Sequence, residues 1–307
     1  MPRKWLRPRR LRLMNKQLLA HLALIAAQLL YGANYTIAKE AMPEFIQPFG
    51  FVLLRCLGAT ALFWLVGLFV KEKVDRKDFP KLVLCALFGI AINQLMFFKG
   101  LSLTNPINAA VLMISTPIMV LIMAALIIKE RITIKRAIGI AVGMLGAFII
   151  LVIGKKLSFS SDTFLGDILI FINASSYGVY LVLISPMMRK YHPITVIKWV
   201  FLFGLFMVLP FGYQQFSEIQ WSTFPTHVIW ATAYVVIGLS FLAYLFNAVA
   251  LKYVSPSVVS IYIYLQPIFA TAFAISLGKD QLDWIKVVSA ILICTGVYLV
   301  SSKPKTA

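Results

Sequence analysis

Carboxylates are scarce in this 307-residue chain, with 11 Asp and Glu against 29 Lys and Arg, and none lies near the centre of a long apolar run. Proton- and sodium-driven carriers commonly place a carboxylate at that depth, so the shortage weighs against such coupling and favours facilitated movement or coupling through another group. The three cysteines, Cys56, Cys85 and Cys294, each fall inside a predicted helix. That placement excludes a disulfide framework and a cysteine-based zinc site, and leaves them as packing residues. No Gly-x-x-x-x-Gly-Lys-Ser/Thr phosphate loop, dinucleotide fingerprint or His-Glu-x-x-His occurs, so ATP is not an evident fuel and no cofactor or metal is expected. Strict apolar/polar alternation, the mark of an outer-membrane barrel, is missing as well.

What remains is overwhelmingly apolar: 61% of residues are hydrophobic and the mean hydropathy is +0.88. A helix crosses the roughly 30 Å of bilayer hydrocarbon with about 20 apolar residues. Ten runs meet that length, at 17–38, 46–70, 80–98, 106–128, 136–153, 166–187, 194–212, 228–251, 256–278 and 284–301. The first follows a basic segment as a signal peptide would, but it is longer than a signal core and is read as a retained helix.

The net charge of +18 is distributed as the positive-inside rule requires. With the N-terminus inside, 22 Lys and Arg face the cytoplasm, six face outward (Lys39, Lys99, Lys155, Lys156, Lys279, Lys286) and Arg55 lies within a span. Both termini are therefore expected in the cytoplasm of a cell membrane. The basic N-terminal tail is read as an anchor to anionic lipid and not as a nucleic-acid arm.

Residues 101–146 align without a gap on 251–296, pairing Leu101 with Leu251, Pro106 with Pro256, Pro117 with Pro267, Lys129-Glu130 with Lys279-Asp280 and Gly146 with Gly296. Five spans per half is an odd number, so the second half must be the topological inverse of the first. The expected fold is an all-α integral membrane protein of ten transmembrane helices in two inverted five-helix repeats. Its parts are a tail (1–16), a first repeat (17–153), a polar linker (154–165), a second repeat (166–301) and a short tail (302–307).

Asn105-Pro106 and Ser255-Pro256 place a capping residue ahead of a proline suited to a helix start. Pro117 and Pro267 follow eleven residues later, about 16 Å along at 1.5 Å per residue, near the bilayer centre. Proline there frees a carbonyl and kinks the helix, which suits a hinge or a cavity wall; the alternative is a kink that improves packing. Gly139, Gly143 and Gly146 make a close-packing stripe, kept in part by Ser289, Ile293 and Gly296.

Arg55, about nine residues into its run, either binds an anionic group or clamps helix carbonyls. Asp167 and His21 sit near helix ends. Uncharged polar and aromatic residues gather at mid-depth: Gln28, Tyr31, Asn93, Gln94, Ser115 and Thr116 in the first half, and Asn173, Tyr177, Tyr244, Tyr264 and Gln266 in the second. Singly, each is explained by an interhelical hydrogen bond. Together, on the first, third, fourth, sixth, eighth and ninth spans, they argue for a central binding cavity suited to a zwitterionic or aromatic small molecule. Asn34-Tyr-Thr and Asn173-Ala-Ser match the glycosylation pattern only by chance, lying in or beside spans.

The run Ile-Lys-Glu-Arg-Ile-Thr-Ile-Lys-Arg-Ala-Ile-Gly-Ile-Ala-Val-Gly-Met-Leu-Gly after the Pro117 helix, with Tyr31-Gly32 and Tyr177-Gly178, resembles the EamA-type members of the drug/metabolite transporter superfamily over about 17–301. The second repeat departs from that pattern, with Asp280 for the usual glutamate and fewer glycines; Arg55 resembles an arginine often found on the family's second helix. The resemblance implies a non-enzymatic ten-helix exporter or exchanger of amino acids, other small metabolites or toxic compounds, working by alternating access. A nucleotide-sugar or phosphorylated-metabolite antiporter would need further inward-facing cations. A lipid-modifying enzyme would need an acid/base pair or metal ligands near an interface, and a structural scaffold leaves the polar mid-depth unexplained.

Overall fold

The computed structural model describes residues 7–37, 44–104, 106–153, 162–278 and 280–302. Its helices are α1 (Arg7–Ile37), α2 (Pro48–Gly67), α3 (Arg76–Leu103), α4 (Pro106–Met113 with Thr116–Ile128), α5 (Ile134–Val152), α6 (Phe164–Lys190), α7 (Pro193–Ser217), α8 (Thr226–Leu251), α9 (Pro256–Ser276) and α10 (Trp284–Ser301). Among the described residues nine helices, α2 to α10, are long and apolar enough to cross a membrane. α1 has 31 residues and begins within the basic segment. Most of the 154–165 linker lies outside the described residues, and α6 already starts at Phe164. Several helices overrun their apolar runs, α3 past Lys99 to Leu103 and α7 to Ser217, because continuing the backbone hydrogen-bond ladder is cheaper than ending it in hydrocarbon.

Two contacts reveal how the halves are oriented. Lys190 Nζ lies 2.6 Å from an Asp78 carboxylate oxygen, so the α2–α3 and α6–α7 corners share one end of the bundle, called here the basic end. Thr104 Oγ1 donates to Asp167 at 2.5 Å, which brings the α3–α4 corner to the start of α6 at the opposite end. α6 therefore starts where α1 finishes, the inverted relation expected from an odd helix count. Packing follows the same symmetry. α5 lies on α10 and α2 on α7, while α1 contacts α8 and α9 just as α6 contacts α3 and α4.

The α5–α10 contact is backbone against backbone. A Cβ on Gly296 would lie 2.6 Å from both the Gly139 carbonyl oxygen and the Gly143 nitrogen, and one on Gly146 would lie 2.8 Å from the Ser289 carbonyl oxygen. The glycine stripe thus joins the two repeats. Cys56 and Cys85 are buried, whereas Cys294 is exposed on the apolar flank of α10.

The two helices that carry the repeat-paired prolines Pro117 and Pro267 are both broken, whereas α6 and α7 continue through Pro186 and Pro210. In α4 the ladder tightens at Ile114 and Ser115, whose N–H groups bond Val111 and Leu112 at 3.1 and 3.0 Å, before helix resumes at Thr116. In α9 a 3-10 turn, Tyr262–Tyr264, occupies the same place. Pro117 and Pro267 each lie in the first turn after the break, as expected of a residue without an N–H donor. Capping at Ser255 differs from expectation: it holds the N-cap position, but its hydroxyl makes no cap bond and the turn closes through Val258 N–H to the Ser255 carbonyl, 3.0 Å. Asn105 lies outside the described residues.

A second paired irregularity was not expected. α3 widens to π-helix at Leu87–Ala91 and α8 at Val235–Ala243, at corresponding positions of the two repeats. Such turns expose carbonyls to side chains and are frequent at functional sites.

Candidate functional site

The π turns set the geometry of the mid-depth residues. Ser176 Oγ donates to the Phe88 carbonyl at 2.6 Å and Tyr244 OH to the Gly89 carbonyl at 3.4 Å. In α8 the Ser240 hydroxyl donates to the Val235 carbonyl at 3.0 Å. Ser240, Tyr244 and Asn247 are spaced i, i+4 and i+7, so they share one face of α8. That face meets α2, where Arg55 Nε donates to Ser240 Oγ at 3.0 Å. The guanidinium carbon lies 5.4 Å from the Phe98 ring centroid, on the aromatic face.

One cluster therefore gathers five residues singled out in the sequence. Tyr31 lies within electrostatic reach of Arg55, Tyr177 and Tyr244 and beside Asn247. Gln94 Nε2 donates to Tyr244 OH at 3.4 Å, and the Tyr177 and Tyr180 rings lie 5.8 Å apart. Arg55, Gln94 and Tyr244 are buried. Its remaining members, Phe98, Tyr180, Ser240 and Asn247, were missed in the sequence. Ser240 and Asn247 were detectable from their helical spacing around Tyr244; nothing local pointed to Phe98 or Tyr180.

The other expected site residues form separate contacts. Asn93 and Asn173 exchange amide-to-carbonyl bonds across α3 and α6, at 3.4 and 2.6 Å. Gln266 Nε2 donates to Gln28 Oε1 at 2.8 Å, tying α9 to α1. Ser115 and Thr116 turn back onto the Leu112 and Met113 carbonyls, each at 2.7 Å, satisfying acceptors freed by the α4 break. Tyr264 OH donates to the Ile114 carbonyl at 3.0 Å. In the repeat alignment Tyr264 is the counterpart of Ile114, so the two breaks meet each other. His21 pairs with Tyr262 at 2.7 Å.

At the basic end Glu130 follows Lys129, whose left-handed backbone (φ 55°) turns the chain sharply out of α4. One Glu130 oxygen takes Arg136 at 2.5 Å; the other accepts the Ser257 hydroxyl at 3.1 Å, from the first turn of α9. The repeat-related pair, Asp280 with Lys286 at 2.8 Å, lies at the far end. Position 107, the counterpart of Ser257, is isoleucine and has no hydroxyl to offer. The bond from Glu130 across the repeats is thus one-sided.

Lys190 also reaches Asp75 at 3.0 Å, and Tyr191 OH donates to Asp78 at 2.6 Å. The hydrogen bond from Lys190, then that from Tyr191, holds the Asp78 carboxyl below its ordinary range. A depressed carboxylate contributes stability that is present above its unfolded pKa, about 3.9, and is lost as pH falls through the folded value. The stability advantage of the wild type over Asp78→Asn is therefore expected to hold at neutral pH and to shrink below about pH 4, as read by thermal unfolding in detergent across pH.

The EamA-like transporter family model matches residues 18–152 and 164–302. An uncharacterized transporter of Archaeoglobus fulgidus is 27% identical, with 92% of this chain and 97% of that protein covered. The uncharacterized transporter YyaM of Bacillus subtilis is 24% identical over 93% and 94%. A WAT1-related protein of Arabidopsis thaliana is 24% identical over 91% and 84%. One crystal structure, 19% identical, superposes with a TM-score of 0.76 over 91% of this chain and 95% of that one, a likeness of fold.

Proposed function

We propose a mechanism for a chain that belongs to the EamA-like transporter family. It is a multi-pass membrane transporter, its relatives being named as transporters and not as enzymes. Our reading is that it lies in the cell membrane with α1 as a tenth span and with both termini and the basic end in the cytoplasm. It moves small metabolites such as amino acids or related compounds, outward or by exchange, using alternating access.

The observation that carries this reading is the cluster on α1, α2, α3, α6 and α8, where Tyr31, Arg55, Gln94, Tyr177, Tyr244 and Asn247 bring aromatic faces, a cation and amides together between the repeats. One helix group rocks against the other around that point. The paired breaks before Pro117 and Pro267 serve as flexing points, and the Glu130–Ser257 bond closes the basic end. Membrane lipids and the solute are the partners; nucleic acid has no role.

Tyr177→Ala and Arg55→Ala are expected to lower uptake into proteoliposomes severalfold while leaving the detergent-solubilised protein monodisperse. Normal transport by both would remove this site. A thermal-shift screen of the purified protein against amino acids, amines, nucleotides and dyes identifies the solute, since a ligand of the native state stabilises it by mass action.

A further inference from the structure

Among the described residues the charge on Arg55 has no counter-charge. The residue is only 8% exposed. Its Nε donates to Ser240, whose own proton goes to the Val235 carbonyl, and Phe98 covers one face. Among the described residues its terminal nitrogens make no hydrogen bond and no carboxylate pairs with it. The described carboxylates all sit in corners or at helix ends, from Glu44 and Glu72 to Asp280 and Asp283, out of reach of mid-depth. Nearby Tyr31, Cys56 and Tyr244 are neutral hydroxyls and a thiol. Two buried acceptors in the same cluster, Gln94 Oε1 and Asn247 Oδ1, also find no donor among the described residues.

We infer that the cluster takes an organic monoanion: a carboxylate held by the terminal guanidinium nitrogens, on a flat aromatic body that lies among Tyr31, Tyr177 and Tyr244 and carries a neutral hydrogen-bond donor for Gln94 or Asn247. The inference rests on the transport reading above and, within it, favours related compounds without an ammonium group over the amino acids themselves. A monoanion neutralises the site, whereas a zwitterion leaves it charged and a cation adds a second positive charge in a low-dielectric interior. The fork geometry of arginine matches a carboxylate through two parallel N–H···O bonds. Neutralisation also has a consequence for flux. The loaded carrier crosses without net charge, while the empty carrier must carry the bare guanidinium across.

The test uses wild-type protein in proteoliposomes with four matched probes: 4-hydroxyphenylacetate, its amide, tyramine and tyrosine. The acid is expected to exchange at least about tenfold better than the other three, the scale of one charge-assisted bond. Arg55→Gln should erase that preference, exchanging the acid no better than the amide. Net efflux of the acid should respond to an imposed membrane potential, and acid-for-acid exchange should not. Exchange of tyrosine, tyramine or the amide at or above the level of the acid overturns the anion assignment and leaves the transport reading standing. An Arg55→Gln protein that still prefers the acid overturns it equally. Exchange of none of the four, together with no solute moved in a wider pool of acids, amides, amines and amino acids, overturns the transport reading and this inference with it. Movement of some other solute from that pool, with all carboxylates excluded, overturns the inference alone.

Discussion

Gly296→Leu is expected to cost the protein its fold. A single added methyl would already stand 2.6 Å from the Gly139 carbonyl oxygen and the Gly143 nitrogen, and 2.7 Å from the Gly143 Cα, all of them backbone atoms that have no rotamer to change. Overpacking of a close contact costs about 1–3 kcal/mol even where side chains can yield. Here α5 and α10 must separate instead, along the most extensive helix contact between the repeats. Leucine adds three more carbons to that displacement. The expected result is aggregation on extraction, or a thermal midpoint lowered by more than 10 °C, with Gly296→Ala intermediate. ΔΔG of a few kcal/mol moves a chain of this size by roughly that amount. Cys294→Ala, two residues away on the exposed flank, should behave as wild type. A monodisperse Gly296→Leu protein with an unchanged midpoint would show that the stripe does not join the repeats.

That stripe was legible from sequence because glycine spacing reports a backbone requirement directly. Where the helices fall along the chain and where the paired breaks come were legible for the same reason, since hydrophobic run length and proline act locally, although several helices run past their apolar segments. The sequence misses began where partners come from afar. Arg55 was read as either an anion binder or a clamp on helix carbonyls; the partner its Nε takes, Ser240, lies 185 positions later in the chain. The π turn in α3 left no signature, since a π turn needs only that neighbouring side chains supply donors for the released carbonyls, and here Ser176 and Tyr244 do so from other helices; in α8 the donor is the helix's own Ser240. Conversely, twelve residues at similar depth in the sequence resolve into one cluster, several interhelical ties and two bonds within α4. Depth along a helix is readable from sequence, but the direction a side chain faces among ten helices is not.

Ser257→Ala is expected to shift the balance between the two access states by about tenfold, through one bond. The Ser257 hydroxyl donates to a Glu130 oxygen whose partner oxygen is already held by Arg136, so the carboxylate is fixed and the hydroxyl bond is charge-assisted. Such bonds contribute about 1.5–3 kcal/mol, and the lower end applies where water has access, giving the tenfold figure. The bond ties the α4–α5 turn of one repeat to the first turn of α9 in the other, so opening the basic end must break it. At the far end Asp280 is engaged by Lys286 and the N–H of Gln281 from its own repeat, and the position matching Ser257 is Ile107. Under the alternating access proposed above, symmetry would otherwise leave the two access states nearly equal in energy, and this one-sided bond would favour closure of the basic end. Spin labels at positions 129 and 252, one on each repeat at that end, should report a longer-distance population that rises about tenfold in Ser257→Ala. Glu130→Gln, which keeps an acceptor but loses the charge, should fall between. Ser276→Ala, whose hydroxyl bonds only the Phe273 carbonyl at the other end of α9, should leave the distribution unchanged. Identical distance distributions in wild type and Ser257→Ala would mean that closure of the basic end is held by the Asp78–Lys190–Tyr191 corner instead, and Lys190→Ala would then carry the shift.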